Sequence, residues 1–310
     1  MVRAEAVSRK YGRFLALSGV SFTAGSGEVI GLLGQNGAGK TTLMNVMAGC
    51  LAPSEGRVLI AGHDLVRSPF AARRALGYLS EVPPVYPELT VREYLQFCCR
   101  IKGVVRADEK RHLDEIIGLT GLMPMQHRLI GQLSKGFRQR TGLAQALCGD
   151  PEVLLLDEPT AGFDPAQAVA FRKLIRTLAK GKTIVFSSHL LHEVQEVCDR
   201  VLVIHRGRLL VDHDLRQAAQ SNRYRVVIQG EPERLLSPIR QLSSVCRVRQ
   251  ENTTAGRTRL VVETKPDETF ARQLFHLLSA MGAPVLELTP LRDTLETLFL
   301  QVTGGEEGKE

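Results

Sequence analysis

Residues 34–42 read Gly-Gln-Asn-Gly-Ala-Gly-Lys-Thr-Thr, and they fit the spacing G-x-x-x-x-G-K-[ST] through Gly34, Gly39, Lys40 and Thr41. The stretch at 28–33 before them reads as a short apolar strand, and residues 40–48 read as the start of a helix. The glycines therefore fall at a strand-to-helix turn, which is the setting this spacing requires. Glycine lets the backbone curl until successive N–H groups face phosphate oxygens, and the positive end of the following helix adds to that field. Gly34, Gln35, Asn36, Gly37, Ala38, Gly39, Lys40, Thr41 and Thr42 are thus the expected phosphate cradle. Lys40 is expected to reach the β- and γ-phosphates, and the Thr41 hydroxyl to bind Mg²⁺. The first expectation is a purine triphosphate site.

Farther along, residues 153–156 form an uninterrupted apolar run closed by Asp157 and Glu158. Such a run suits a strand buried on both faces of a parallel sheet, and ligands bind at the ends of such strands in α/β folds. Asp157 is placed to hold Mg²⁺ directly or through water, and Glu158 to polarise the attacking water as a general base. Residues 183–187 read as another buried strand, ending at Ser188-His189; a histidine there can hydrogen-bond both a terminal phosphate and Glu158. Residues 73–81 read as a strand whose end delivers Glu81 ahead of Pro83-Pro84. At the N-terminus, residues 2–22 read as strands around a turn at Tyr11-Gly12, where Tyr11 either stacks on a purine or packs against the turn. Residues 90–123 recur at helical spacing and read as an insertion. It ends at Leu-Ser-Lys-Gly-Phe-Arg-Gln-Arg, 133–140, which leads into a further helical run.

These motifs, in this order, resemble the nucleotide-binding subunit of an ATP-binding cassette (ABC) transporter. The likeness covers residues 2 to about 214. The most discriminating segment is 133–140, because many ATPases carry a phosphate loop and an acid pair without it. The resemblance implies ATP and Mg²⁺ as ligands, ATP hydrolysis as the activity, and a shared site. Ser134 and Gly136 of one subunit would bind the γ-phosphate held by the loop of a second copy, making ATP the glue of a homodimer. It further implies that Tyr11 stacks on adenine, that Asp157 and Glu158 are the metal and base acids, that His189 is the switch histidine and that Asp164 crosses the dimer interface. Two departures stand out. Glu81 occupies a position where the family usually carries glutamine, which touches Mg²⁺ and the lytic water; a carboxylate still ligates Mg²⁺ but adds negative charge near the γ-phosphate. Lys135-Gly136-Phe137 replaces the commoner Gly-Gly-Gln. Together with the closing residues 290–303, these departures resemble the branch of ATPases that pair with separate export permeases of the type-two class. The narrowest likeness is to gliding-motility-associated export subunits.

The fold class expected is therefore α/β, with a RecA-like parallel sheet, an N-terminal antiparallel β subdomain and a helical subdomain at about 84–148, together spanning 1–215. The segment 216–302 reads β-α-β-β-α-β, the order of a ferredoxin-like accessory domain. An amphipathic helix is expected at 291–302, and residues 303–310 read as a tail. Six scattered cysteines read as free thiols rather than disulfides or zinc ligands. No apolar run approaches the roughly 18 residues of a membrane span. The resemblance implies a location at the cytoplasmic face of a bacterial inner membrane, held there by permease subunits. A net charge of +7 raises the competing reading of a soluble family member acting on ribosomes or DNA. The basic residues are spread along the chain, and one cassette without heptads argues against that reading. No nucleic acid partner is expected. A phosphate-loop kinase of another kind would leave 133–140 unexplained.

Overall fold

The computed structural model describes residues 1–215, 223–251, 256–265 and 269–291, which fall into two compact units divided after Leu215. In the first unit, strands β1 (Val2–Tyr11) and β2 (Phe14–Ala24) pair antiparallel around Gly12, whose φ of +58° suits a glycine. The central sheet begins with β3 (Val29–Leu33), which runs through the phosphate loop into α1 (Lys40–Met47). Strands β4 (Glu55–Ile60) and β5 (His63–Asp64) complete the antiparallel sheet, in the order β2-β1-β4-β5.

A short helix, α2 (Pro69–Arg74), precedes β6 (Leu76–Leu79). This corrects the expectation of one strand over 73–81. Pro69 sits at the first helical position, where its missing N–H costs nothing, so Arg73 and Arg74 form the last turn of a helix. The strand keeps only its four central residues, and Glu81 lies two residues beyond its end.

The helical insertion holds α3 (Val91–Ile101), α4 (Arg106–Leu119) and α5 (Lys135–Leu147). Thr90 and Glu93 form a reciprocal capping box at the start of α3, satisfying two otherwise orphaned amides. The chain then returns through β7 (Val153–Asp157), α6 (Pro165–Leu178), β8 (Thr183–Ser188), α7 (Leu191–Val197), β9 (Arg200–His205) and β10 (Arg208–Asp214).

The six-stranded sheet has the order β10-β9-β3-β8-β7-β6, parallel throughout except for the β9–β10 hairpin. Every residue of β3, β7 and β8 is buried, as expected of strands covered on both faces. Leu43, Met44 and Met47 of α1 belong to one apolar cluster with Val7, Val20 and Val58 of the antiparallel sheet and Ile30, Leu32 and Leu155 of the parallel one. That packing fixes α1, and with it the loop before it, against both sheets.

The second unit has its own antiparallel sheet, β12-β13-β11-β14, from β11 (Arg223–Gln229), β12 (Val245–Gln250), β13 (Arg257–Thr264) and β14 (Val285–Pro290). Helices α8 (Pro232–Arg240) and α9 (Phe270–Ala280) supply Leu235, Ile239, Phe270 and Leu274 to a core with Val226, Ile228, Leu260 and Val262. This is the ferredoxin-like arrangement. The helix expected at 291–302 and the tail at 303–310 fall, apart from Leu291, outside the described residues. The six cysteines are free: Cys99, Cys148 and Cys198 are buried, while Cys50 and Cys246 are exposed.

Candidate active site

The phosphate loop is pinned at its back and open at its front. Gly37 (φ +79°) and Gly39 (φ +111°) curl the backbone, and Gly39 caps α1 without any side-chain acceptor for the first amides. A Cβ on Gly34 would run into the Ile204 carbonyl, and the Gly207 amide donates to the Ala38 carbonyl at 2.8 Å. The β9–β10 hairpin therefore holds the loop from behind. Gln35, Asn36, Gly37 and Thr41 remain exposed, and Thr42 is half-buried.

Lys40 is buried to 6% exposure, and its Nζ donates to the carbonyls of Gly34 (2.7 Å) and Gln35 (3.3 Å), with Glu158 Oε1 at 3.9 Å. Burial lowers its pKa, while the negative charges of Glu158, Asp157 and Glu81 work the other way. The ammonium is thus caged by its own loop and held toward the acids.

Those acids come from the end of β7 and just beyond. Asp157 Oδ1 accepts the Ser187 hydroxyl at 2.6 Å, whereas Oδ2 is buried with no partner. Burial raises the Asp157 pKa, and Glu158 and Glu81 add to the rise. The orphaned Asp157 oxygen, with the Glu81 carboxylate near enough to act on it, is the kind of hard oxygen donor that suits a cation such as Mg²⁺. Glu158 adopts φ +46°, and its amide donates to Ser187 Oγ at 2.9 Å. Its Oε2 lies 2.8 Å from Nδ1 of His189, a residue left half open to solvent.

The other expected site residues form a second group. Ser134 caps α5, its Oγ accepting the Phe137 amide at 3.4 Å, and Asp164 caps α6, accepting the Gln167 amide at 2.8 Å. A Cβ on Gly136 would meet Gln167 Oε1 at 2.7 Å, so the two helix starts pack against each other. Lys135 lies over Gly162, where a Cβ would touch its Nζ at 2.6 Å. Among the described residues, no hydrogen bond or ion pair joins Ser134, Gly136 or Asp164 to the loop at 34–42. Tyr11 is 45% exposed at the end of β1, with the Arg9 guanidinium 4.9 Å from its ring centroid.

Sequence reading missed the hydroxyls and the carboxylate that organise this site. Ser187 bridges Asp157 and the Glu158 amide, and Glu193 accepts from both Thr160 (2.9 Å) and Ser188 (2.8 Å). The only signal was two serines closing an otherwise apolar strand.

The ABC transporter family model matches residues 17–161. The bacitracin transport ATP-binding protein BcrA of Bacillus licheniformis is 31% identical over 98% of both chains. The Nod factor export ATP-binding protein I of Rhizobium sp. (strain N33) is 33% identical over 97% of this chain and 96% of its own. The chain belongs to the ATP-binding subunits of ABC transporters. Among solved structures, an ATP-binding subunit of an ABC transporter superposes with a TM-score of 0.65 at 29% identity, covering 70% of this chain and 91% of that one. This ABC subunit is an ATPase that binds and hydrolyses ATP.

Proposed function

We propose that this ABC subunit powers an exporter by closing as a homodimer around ATP and opening after hydrolysis. What supports the reading is the convergence of Lys40, Asp157, Glu158 and His189 at the ends of parallel strands, beside a loop whose helix amides await an acceptor. In this reading the cradle 34–42 and Lys40 bind the phosphates, and Glu158 draws the proton from the attacking water while His189 holds its carboxylate. Asp157, Thr41 and Glu81 would hold Mg²⁺, which neutralises charge developing on the phosphate oxygens. Tyr11 lies under the adenine. Ser134 and Asp164, exposed caps of two packed helix starts, and Gly136, buried between them, act on the loop of the second copy. Neither copy then holds a complete site, so hydrolysis removes a ligand that both share.

The permease has a fitting surface. A cavity of about 980 Å³ lies between the helical insertion and the central sheet, lined in part by Phe70, Arg73, Arg74, Ile101 and Lys102. Phe70 is 89% and Ile101 68% exposed, an apolar lip with basic flanks suited to an amphipathic permease segment. Ser80 lines the same cavity and Glu81 follows it, so Glu81 is the natural relay between this surface and the phosphates. Relatives named for bacitracin transport and Nod factor export support the exporter assignment. Glu81, residues 133–140 and the closing residues 290–303 support the type-two exporter branch, within which the gliding-motility-associated subunits are the narrower likeness.

Two experiments test this reading. Glu158→Gln is expected to cut ATP turnover at least 100-fold while trapping an ATP-bound dimer, and a variant that hydrolyses normally removes Glu158 as the base. Affinity purification from membranes is expected to recover a multi-span permease; recovery of ribosomes or DNA instead would reverse the assignment.

A further inference from the structure

Glu158 is asked to hold a water-activating carboxylate steady from a left-handed backbone conformation, which a residue with a side chain seldom adopts. Such a conformation persists when its surroundings over-determine it. On the N-terminal side the restraint is Ser187 Oγ, which accepts the Glu158 amide. On the C-terminal side it is Glu193. The Thr160 hydroxyl, two residues past Glu158, donates to Glu193 Oε2 at 2.9 Å, and the Ser188 hydroxyl donates to the same oxygen at 2.8 Å. Ser188 Oγ in turn accepts the Leu190 amide at 3.0 Å, closing the turn that carries His189.

One buried carboxylate oxygen therefore ties the turn after Glu158 to the turn that presents His189. Glu193 is 4% exposed, Thr160 7% and Ser188 fully buried, so water does not compete for these bonds. The 2.8 Å contact between Glu158 and His189 spans the same two turns. An acid in the first turn of α7 also favours the helix dipole, but this side chain is spent on two hydroxyls outside its own helix. A carboxylate oxygen carries two lone pairs and so accepts both hydroxyls at once.

We propose that Glu193 is a positioning residue for ATP hydrolysis, acting through Thr160 and Ser188 to keep Glu158 and His189 in register. The inference rests on Glu158 being the base. Misplacing that carboxylate slows the chemical step without touching the phosphate loop, so the effect belongs in kcat and not in nucleotide affinity.

The test uses the full chain with Glu193→Ala, Glu193→Gln, Thr160→Val and Glu193→Ala/Thr160→Val, measuring kcat, the affinity of a fluorescent ATP analogue and Tm. Glu193→Ala is expected to lower kcat about tenfold or more with affinity within about threefold. Glu193→Gln, which keeps a carbonyl acceptor, should recover most of that loss. Thr160→Val should reproduce it, and the double variant should add little. Wild-type kcat in Glu193→Ala, strictly additive losses, or affinity and Tm falling in step with kcat would each overturn the proposal. Glu158→Gln run alongside separates the two failures. Retained turnover there sinks the base assignment, whereas lost turnover there with wild-type kcat in Glu193→Ala sinks only the role of Glu193.

Discussion

The two sheets named as parallel core and C-terminal unit put their polar residues to opposite uses. In the first unit β3, β7 and β8 are buried along their whole length, so charge collects where the strands stop, at Lys40, Asp157, Glu158 and His189. In the second, the helices cover one face, while the other mixes charged side chains with Val227 and Val261, which are also buried. Val226, Ile228, Leu260 and Val262 point to the helices, while Arg225, Arg259, Arg249 and Glu263 take the other parity. A sheet buried on both sides concentrates its chemistry at one edge, and a sheet buried on one side spreads charge over a face. The first arrangement suits a compact, highly charged ligand at the strand ends; the second gathers an apolar core under two helices.

The comparison breaks most visibly if the second unit's core proves to matter for nucleotide. Phe270 is fully buried, and its ring lies 4.9 Å from that of Tyr224. Phe270→Ala should destabilise the second unit by about 3–5 kcal/mol, the usual cost of emptying a buried phenylalanine site. Each unit has its own apolar cluster, and the two share no residue. ATP affinity should therefore stay within about threefold, a change of under about 1 kcal/mol. A two-step thermal denaturation in which only one transition moves would sharpen the contrast. A parallel loss of ATP binding would end it.

How much of this was legible beforehand follows the same division. The loop at 34–42 and the acids at 157–158 stand out because their residues are contiguous, and the structure puts both at the ends of parallel strands. The β-α-β-β-α-β order was legible because alternation and helical spacing are local properties. Helix α2 was hidden because its arginines abut the next strand, although Ser68-Pro69 is a start signal in its own right. The roles of Ser187 and Glu193 were hidden. Their partners at and after the end of β7 lie 29 to 33 residues away in sequence, and the pairing of β7 with β8 brings them together.

The smaller effect concerns what the site costs the fold. Asp157 carries a pKa raised chiefly by burial, so its ionised form is disfavoured in the folded chain relative to the unfolded one. Below the ordinary carboxylate range both states are neutral and the penalty vanishes. As pH rises through the unfolded and then the folded pKa, the unfolded state sheds its proton first, and stability falls to a lower plateau. Asp157→Asn removes that charge while keeping an oxygen to accept the Ser187 hydroxyl. In the absence of nucleotide and metal it should raise Tm near neutral pH by about 2–4 °C, which corresponds to roughly 1 kcal/mol in a domain of this size. The gain should shrink as pH is lowered toward the ordinary carboxylate range. Adding Mg²⁺ and ATP should reverse the order, because the wild-type carboxylate then gains a partner that the amide cannot match. A Tm gain that ignores pH would mean the substitution acts through packing and not through charge. An Asn variant stabilised by Mg²⁺ and ATP as strongly as the wild type would remove Asp157 from the metal site and leave its buried, unpartnered oxygen without a function.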